Sequence, residues 1–175
     1  LLTVDSPTQK IAGSTLPGFT KIPHAVPQWS FYDAFDQEDI LTWIERNNTI
    51  FTKAIGDIPK DLSYQVELKI DGLHMVLTYR DGDLVSAATR GDGQVGEDVT
   101  EHIKMIPSIP QHISDLRALV IEGEVWMPTK DLDRLNEHRT KEELPLFANP
   151  RNAAAGTIRQ LDPTIVKERN LQMTV

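Results

Sequence analysis

The sequence contains no cysteine, which removes disulfides, thiol catalysis and Cys-ligated metal from this chain and fits a reducing compartment. No apolar run approaches the roughly 20 residues that cross a bilayer. No signal peptide is visible at Leu1 and no initiator Met precedes it, so the chain reads as a piece of something longer. Positive charge is also in short supply. Eighteen Lys and Arg face 26 Asp and Glu, giving a net charge of −8 and a pI near 5.1. A domain that binds nucleic acid unaided is usually basic. Any such contact must come from a local cluster or from parts outside this chain. Internal repeats and low-complexity tracts are absent as well.

What is present is ordinary for a globular protein. The 175 residues are 39% hydrophobic and 25% charged, enough for one domain with a real core. Residues 1–35 carry Pro7, Pro17, Pro23 and Pro27 with Gly13 and Gly18, the composition of an extended, irregular lead-in. The remainder, 36–175, reads as the body of the domain.

Asp36 is a candidate N-cap, with Glu38 and Asp39 in the first turn. Ile40, Leu41, Ile44 and Phe51 then recur at helical spacing, which predicts a helix over 37–54, with Trp43 packing at its edge. Strands are expected at 64–71, 73–79, 84–90 and 118–127, and Asp81-Gly82 is a hairpin turn signal. VTEHIKMI reads as a short helix stopped by Pro107. Thr129 reads as the cap of another, with Leu132 and Leu135 inward. Asn149-Pro150 opens a last helix that Asp162-Pro163 ends. Leu171 to Val175 begins a strand. Intermixed helices and strands around a hairpin predict an α+β fold with largely antiparallel sheets.

Three patterns are candidates for chemistry. In QVELKIDG (Gln65 to Gly72), Glu67, Lys69 and Asp71 alternate with Val66, Leu68 and Ile70. On a strand they would share one face. In Glu122-Gly123-Glu124 two carboxylates again share a face of an apolar strand. Such acids are costly to bury without partners, and the glycine lets a ligand or another backbone come close. In NPRNAAAG (Asn149 to Gly156), small side chains permit close approach, and Arg151 and Arg159 lie on one broad helix face. A fourth pattern, Gly91-x-Gly93-x-x-Gly96 with Asp115 downstream, has the outline of a dinucleotide fingerprint, but its helix is short and Pro107 and Pro110 interrupt the crossover. Each pattern also has a plain reading: a solvated strand face, an edge strand, an Ala-rich packing helix, a tight turn.

Lys69-x-Asp71-Gly72 resembles the signature of the covalent nucleotidyltransferases, the DNA and RNA ligases and mRNA capping enzymes. ELKIDG, ATRGDGQVGEDVTE, EGEVWMP and FANPRNAAAGTIRQLD together resemble bacterial NAD-dependent DNA ligases in order and spacing. DSPT (Asp5 to Thr8) resembles the start of their adenylation domain. The likeness covers nearly the whole chain, and the NPRNAAAG segment separates this family from its ATP-dependent and capping relatives.

The resemblance implies a nucleotidyltransferase adenylation domain, incomplete on its C-terminal side. It implies Lys69 as the nucleophile that takes AMP from NAD, Glu67 and Leu68 on the adenine side, and Asp71 beside the reacting phosphate. Arg90 and Glu124 would contact the nucleoside, and Arg151 and Arg159 the phosphates of nicked DNA. The adenine segment of the family reads Pro-Met-Leu-Ser-Leu. Here it is Pro27-Gln28-Trp29-Ser30-Phe31, so Ser30 is kept and Phe31 stands at a pocket position. NAD, Mg²⁺ and nicked double-stranded DNA are the implied cofactors and partner, with metal ligands unassigned. A cytoplasmic monomer without membrane contact is implied, and this chain alone is expected not to seal nicks. An ATP-dependent ligase or capping-type transferase, or a non-catalytic scaffold of the same fold, are the alternatives.

A lysine amine is mostly protonated at neutral pH and is then no nucleophile. Carboxylates on both sides favour the ammonium further. The Glu-Lys-Asp triplet therefore does not activate Lys69 by itself. Desolvation, Mg²⁺ or further lysines must offset the acids.

Overall fold

The computed structural model describes residues 18–175. The DSPT motif and the first prolines lie outside the described residues. The described residues divide into two compact units, one of residues 18–28 and 70–175, the other of residues 29–69.

The smaller unit is built on α1 (Gln37–Ile55). Asp36 caps it as expected, its side chain accepting from the Asp39 N–H at 2.9 Å. Gly56 ends it in the left-handed conformation, its N–H on Thr52 O. Trp43 does pack, its ring 5.3 Å from that of Tyr64. The strand expected at 64–71 is not formed. Val66 and Leu68, which should have lined its buried face, are 94% and 89% exposed. The physical reason is pairing. Alternation marks a strand only where a neighbour supplies hydrogen bonds, and no described strand pairs with this segment.

The larger unit holds β1 (Lys21–Pro23), β2 (Leu73–Arg80), β3 (Asp83–Thr89), β4 (Val95–Glu97), α2 (Thr100–Ile103), β5 (Leu119–Trp126), α3 (Thr129–Lys141), α4 (Pro150–Ile158), α5 (Thr164–Glu168) and β6 (Gln172–Thr174). All observed pairings are antiparallel. The main sheet runs β3-β2-β5-β6, and β1 pairs with β4 separately. The α+β expectation holds. The Asp81-Gly82 hairpin forms between β2 and β3.

Several boundaries move. Helix α2 ends at Ile103, before Pro107. Thr129 is the first residue of α3, whose cap position is Pro128 with no side-chain bond. Asn149 caps α4 and Pro150 opens it as expected, but α4 ends at Ile158. Asp162 instead accepts from the N–H and hydroxyl of Thr164 ahead of α5, a helix the sequence pattern did not announce.

The dinucleotide reading of Gly91-x-Gly93-x-x-Gly96 fails on topology, since antiparallel strands flank it and α2 has four residues. Asp115 is not a ribose reader either. Arg117 binds its carboxylate and its own N–H also donates to it, which holds Asp115 down to about 2.

The core lies on one face of the main sheet. Met75, Leu77 and Tyr79 of β2, Ala87 of β3 and Val125 of β5 pack with Ile103, Ile106, Met127, Ala153, Ala154 and Ile158. The small side chains of α4 are therefore buried against the sheet. Tyr79 is fully buried, and its hydroxyl donates to Pro110 O at 2.7 Å.

Gly123 stands where β6 closes on β5. A Cβ there would lie 2.4 Å from Thr174 O and 2.6 Å from Met173 Cε. The backbone oxygen cannot withdraw without losing the β5–β6 pairing. Gly123→Ala should cost about 2 kcal/mol, seen as a fall in Tm of about 4–8 °C. A melting curve superimposable on the wild type would show that β6 is not held this closely.

Candidate functional site

The β2–β5 register sorts side chains between the two faces of the sheet. Leu73, Met75, Leu77 and Tyr79 meet Val125, Gly123, Ile121 and Leu119 on the core side. His74 meets Glu124 and Val76 meets Glu122 on the other. The β2–β3 register pairs Met75 with Thr89, so one further step brings Arg90 beside His74. Glu124 also pairs with Thr174 of β6. A polar row, Arg90-His74-Glu124-Thr174, thus crosses four strands on the face away from the core. Trp126, two residues past Glu124, belongs to the same face and donates its indole N–H to Thr174 Oγ1 at 3.0 Å.

The row is tied from several sides. Glu124 Oε1 accepts the Gly72 N–H at 3.2 Å, which joins β5 to the turn after Asp71. His74 Nε2 is 3.7 Å from Glu122 Oε2, and Nδ1 is 3.9 Å from Glu124 Oε2. Gln28, buried to 4% exposure, places Oε1 3.1 Å from His74 Nε2. Its own backbone N–H donates to Gly93 O at 2.8 Å. Gly93 has φ 91°, and a Cβ there would meet Gln28 O at 2.8 Å. The glycine-rich segment therefore seats Gln28 against the row. His24 adds a ring nitrogen 3.0 Å from Arg90 O.

Asp71 and Arg151 come together as an ion pair, Arg151 Nη1 to Asp71 Oδ1 at 3.1 Å, with both side chains more than half exposed. The start of α4 is thereby linked to the turn that follows Lys69. Arg159, at the C-cap of α4, is exposed. Among the other sequence candidates, Ser30, Phe31, Glu67, Leu68 and Lys69 belong to the smaller unit. There Gln65 Nε2 donates to Glu67 Oε1 at 2.6 Å, and Phe31 and Leu68 are exposed. Lys69 is the last residue of that unit and is covalently two residues from Asp71. Since 64–71 is not a strand, the single-face arrangement of Glu67, Lys69 and Asp71 does not rest on a β ladder.

Sequence reasoning missed His74 and Gln28. The signal for His74 was available: it is the one polar residue among Leu73, Met75 and Val76. Gln28 carried none, because its partners are 46 and 65 residues away in sequence. A cavity of about 460 Å³ lies elsewhere, lined by Met127, Asp131, Leu135, Arg139 and Arg169 among others. It shares no residue with the row, and its buried Asp131 is occupied by Asn170 and Arg134. The ionisable side chains Arg90, His74, Glu122 and Glu124 converge on the row and not on this cavity. Among the described residues no group of three or more His, Asp or Glu is arranged to hold a metal ion, and no helix is long and apolar enough to cross a membrane.

An antiparallel sheet with this polar face, preceded by Lys-x-Asp-Gly, defines the class of nucleotidyltransferase-type adenylation domains. The family model for the NAD-dependent DNA ligase adenylation domain matches residues 16–175, and the chain belongs to that family. Among curated relatives, a DNA ligase of Bacillus subtilis (strain 168) is 46% identical over 175 residues, covering 100% of this chain and 25% of the relative. A DNA ligase of Acetivibrio thermocellus is 47% identical over 176 residues, covering 100% and 26%. One from Ligilactobacillus salivarius is 43% identical over 171 residues, covering 98% and 24%. The chain thus spans about a quarter of the length of these relatives.

Burial is the largest influence on His74 and lowers its pKa from 6.5. Glu122 and Glu124 pull it back up, and Arg90 and His24 push it further down. The native state therefore binds fewer protons here than the unfolded chain just below pH 6.5. Stability from this group is present above that pH and is lost as the pH falls through the native value. NMR titration of the imidazole should give a midpoint below 6.5, and Glu122→Gln should move it lower still. A midpoint above 6.5 would show that the carboxylates outweigh burial.

Proposed function

We propose that this chain is the nucleotide-charging part of an NAD-dependent DNA ligase. The observation that carries the reading is the polar row on the sheet, two strands of which adjoin the Lys-x-Asp-Gly turn through the bond from Gly72 to Glu124. Lys69 Nζ, once deprotonated, attacks the α-phosphorus of NAD. A P–N bond forms, and the bond to nicotinamide mononucleotide breaks. AMP then passes to the 5′-phosphate at a nick, and the 3′-hydroxyl displaces AMP to complete the phosphodiester.

In this reading Glu67, Leu68, Ser30 and Phe31 flank adenine, and Arg90 and Glu124 hold the nucleoside. Asp71 stands by the reacting phosphate. Negative charge builds on phosphoryl oxygens at each step, so fixed cations and oriented donors supply most of the stabilisation. Arg151 and Arg159 grip phosphates beside the nick. The Asp71–Arg151 pair is exposed and worth about 0–1 kcal/mol, weak enough for Arg151 to exchange a carboxylate for a phosphate. Mg²⁺ enters this reading with the nucleotide, since it is commonly held by substrate phosphates and one or two carboxylates. When bound it neutralises phosphate charge. No protein cage for it is formed among the described residues. The protein acts as a cytoplasmic monomer.

In the full-length protein, Lys69→Arg should abolish covalent attachment of AMP from NAD, read by intact mass, because guanidinium does not deprotonate. Attachment by that variant would refute the assignment, and equal charging by ATP would refute NAD as the donor. Arg151→Ala and Arg159→Ala should leave charging nearly intact, slow AMP transfer or joining, and each flatten the salt dependence of DNA binding by about one unit of slope. Equal losses in every step, together with a lower Tm, would make these arginines structural.

A further inference from the structure

Two side chains in the polar row, His74 and Thr174, have no role in the reading above, and Thr174 is engaged by the Trp126 indole. His74 lies between Glu122 and Glu124, opposite Glu124 in the ladder. Its tautomer follows from its neighbours. Gln28 Nε2 donates to Val26 O at 2.8 Å, which turns Gln28 Oε1 toward His74 Nε2. An amide oxygen only accepts, so Nε2 carries the ring proton and Nδ1 is left as an acceptor in the neutral imidazole. Nδ1 looks toward Glu124 Oε2 at 3.9 Å, too far for a direct hydrogen bond. Glu124 is held in this pose by the Gly72 N–H on its other oxygen.

Two acceptors therefore face one another with no proton between them. Burial keeps the ring neutral near pH 7, so protonation does not close the gap. A ligand with two adjacent O–H donors fits such a notch. We propose that His74 is a specificity residue for the nucleoside ribose, its Nδ1 accepting from one hydroxyl of the vicinal diol while Glu124 Oε2 accepts from the other. The proposal rests on the nucleotide reading of this face and adds to it a residue and a selectivity.

The test is calorimetric titration of the full-length protein with AMP, 2′-deoxy-AMP and 3′-deoxy-AMP, for the wild type, His74→Phe and His74→Asn. In the wild type, loss of the hydroxyl read by His74 should weaken binding about tenfold. In His74→Phe that ratio should fall below about twofold, while the ratio for the other hydroxyl persists. His74→Asn, whose amide oxygen can accept, should recover part of it. A ratio unchanged in His74→Phe for both deoxynucleotides overturns the proposal and leaves the nucleotide reading standing. Absence of AMP binding by the wild type overturns both. Nitrogen-15 NMR of the unmodified 175-residue chain gives a check that needs no variant: the Nε2–H tautomer is expected, and an Nδ1–H tautomer rules the proposal out.

Discussion

The antiparallel ladder between β2 and β5, from Leu73↔Val125 to Tyr79↔Leu119, is the constraint on which the site depends. Because side chains alternate, one register sends Met75, Leu77 and Tyr79 into the core and His74, Glu122 and Glu124 to the opposite face. A slip of one residue would exchange the two sets, burying carboxylates and exposing the core. Hydrophobic burial therefore fixes the positions of the polar groups, although none of them contributes to it. The glycine of Glu122-Gly123-Glu124 serves the same end, letting β6 close on β5 directly behind the two acids.

Electrostatically the row is mixed rather than acidic. A chain carrying −8 places Arg90 beside two glutamates and pairs Asp71 with Arg151. Such local balance suits a group that is both anionic and rich in hydroxyls.

The fold class was legible because it rests on local signals: the cap at Asp36, the Asp81-Gly82 turn, alternation in β2 and β5, and Asn149-Pro150 at the head of α4. What was not legible depends on partners distant in sequence. The segment 64–71 has the alternation of a strand and lacks a neighbouring strand, so pattern alone misassigned it. Helix α5 is too short for a periodic signature, and β1 forms only because β4 is there to pair with it. Of the candidate site, Glu122 and Glu124 were visible as acids on an apolar strand. The roles proposed for Lys69, Arg90, Arg151 and Arg159 came from family resemblance, and the seating of His74 by Gln28 became visible only when the chain was folded.

The placement of Trp126 has a practical consequence. The protein has three tryptophans, and Trp29 and Trp43 both belong to the smaller unit. Trp126 alone lies on the sheet face beside Glu124, its indole held by Thr174. Replacing the other two with phenylalanine would leave Trp126 as the single tryptophan of this chain, at the edge of the row and selectively excited at the red edge of the absorption band. The emission of that fluorophore would then follow events on this face in real time, with no label attached.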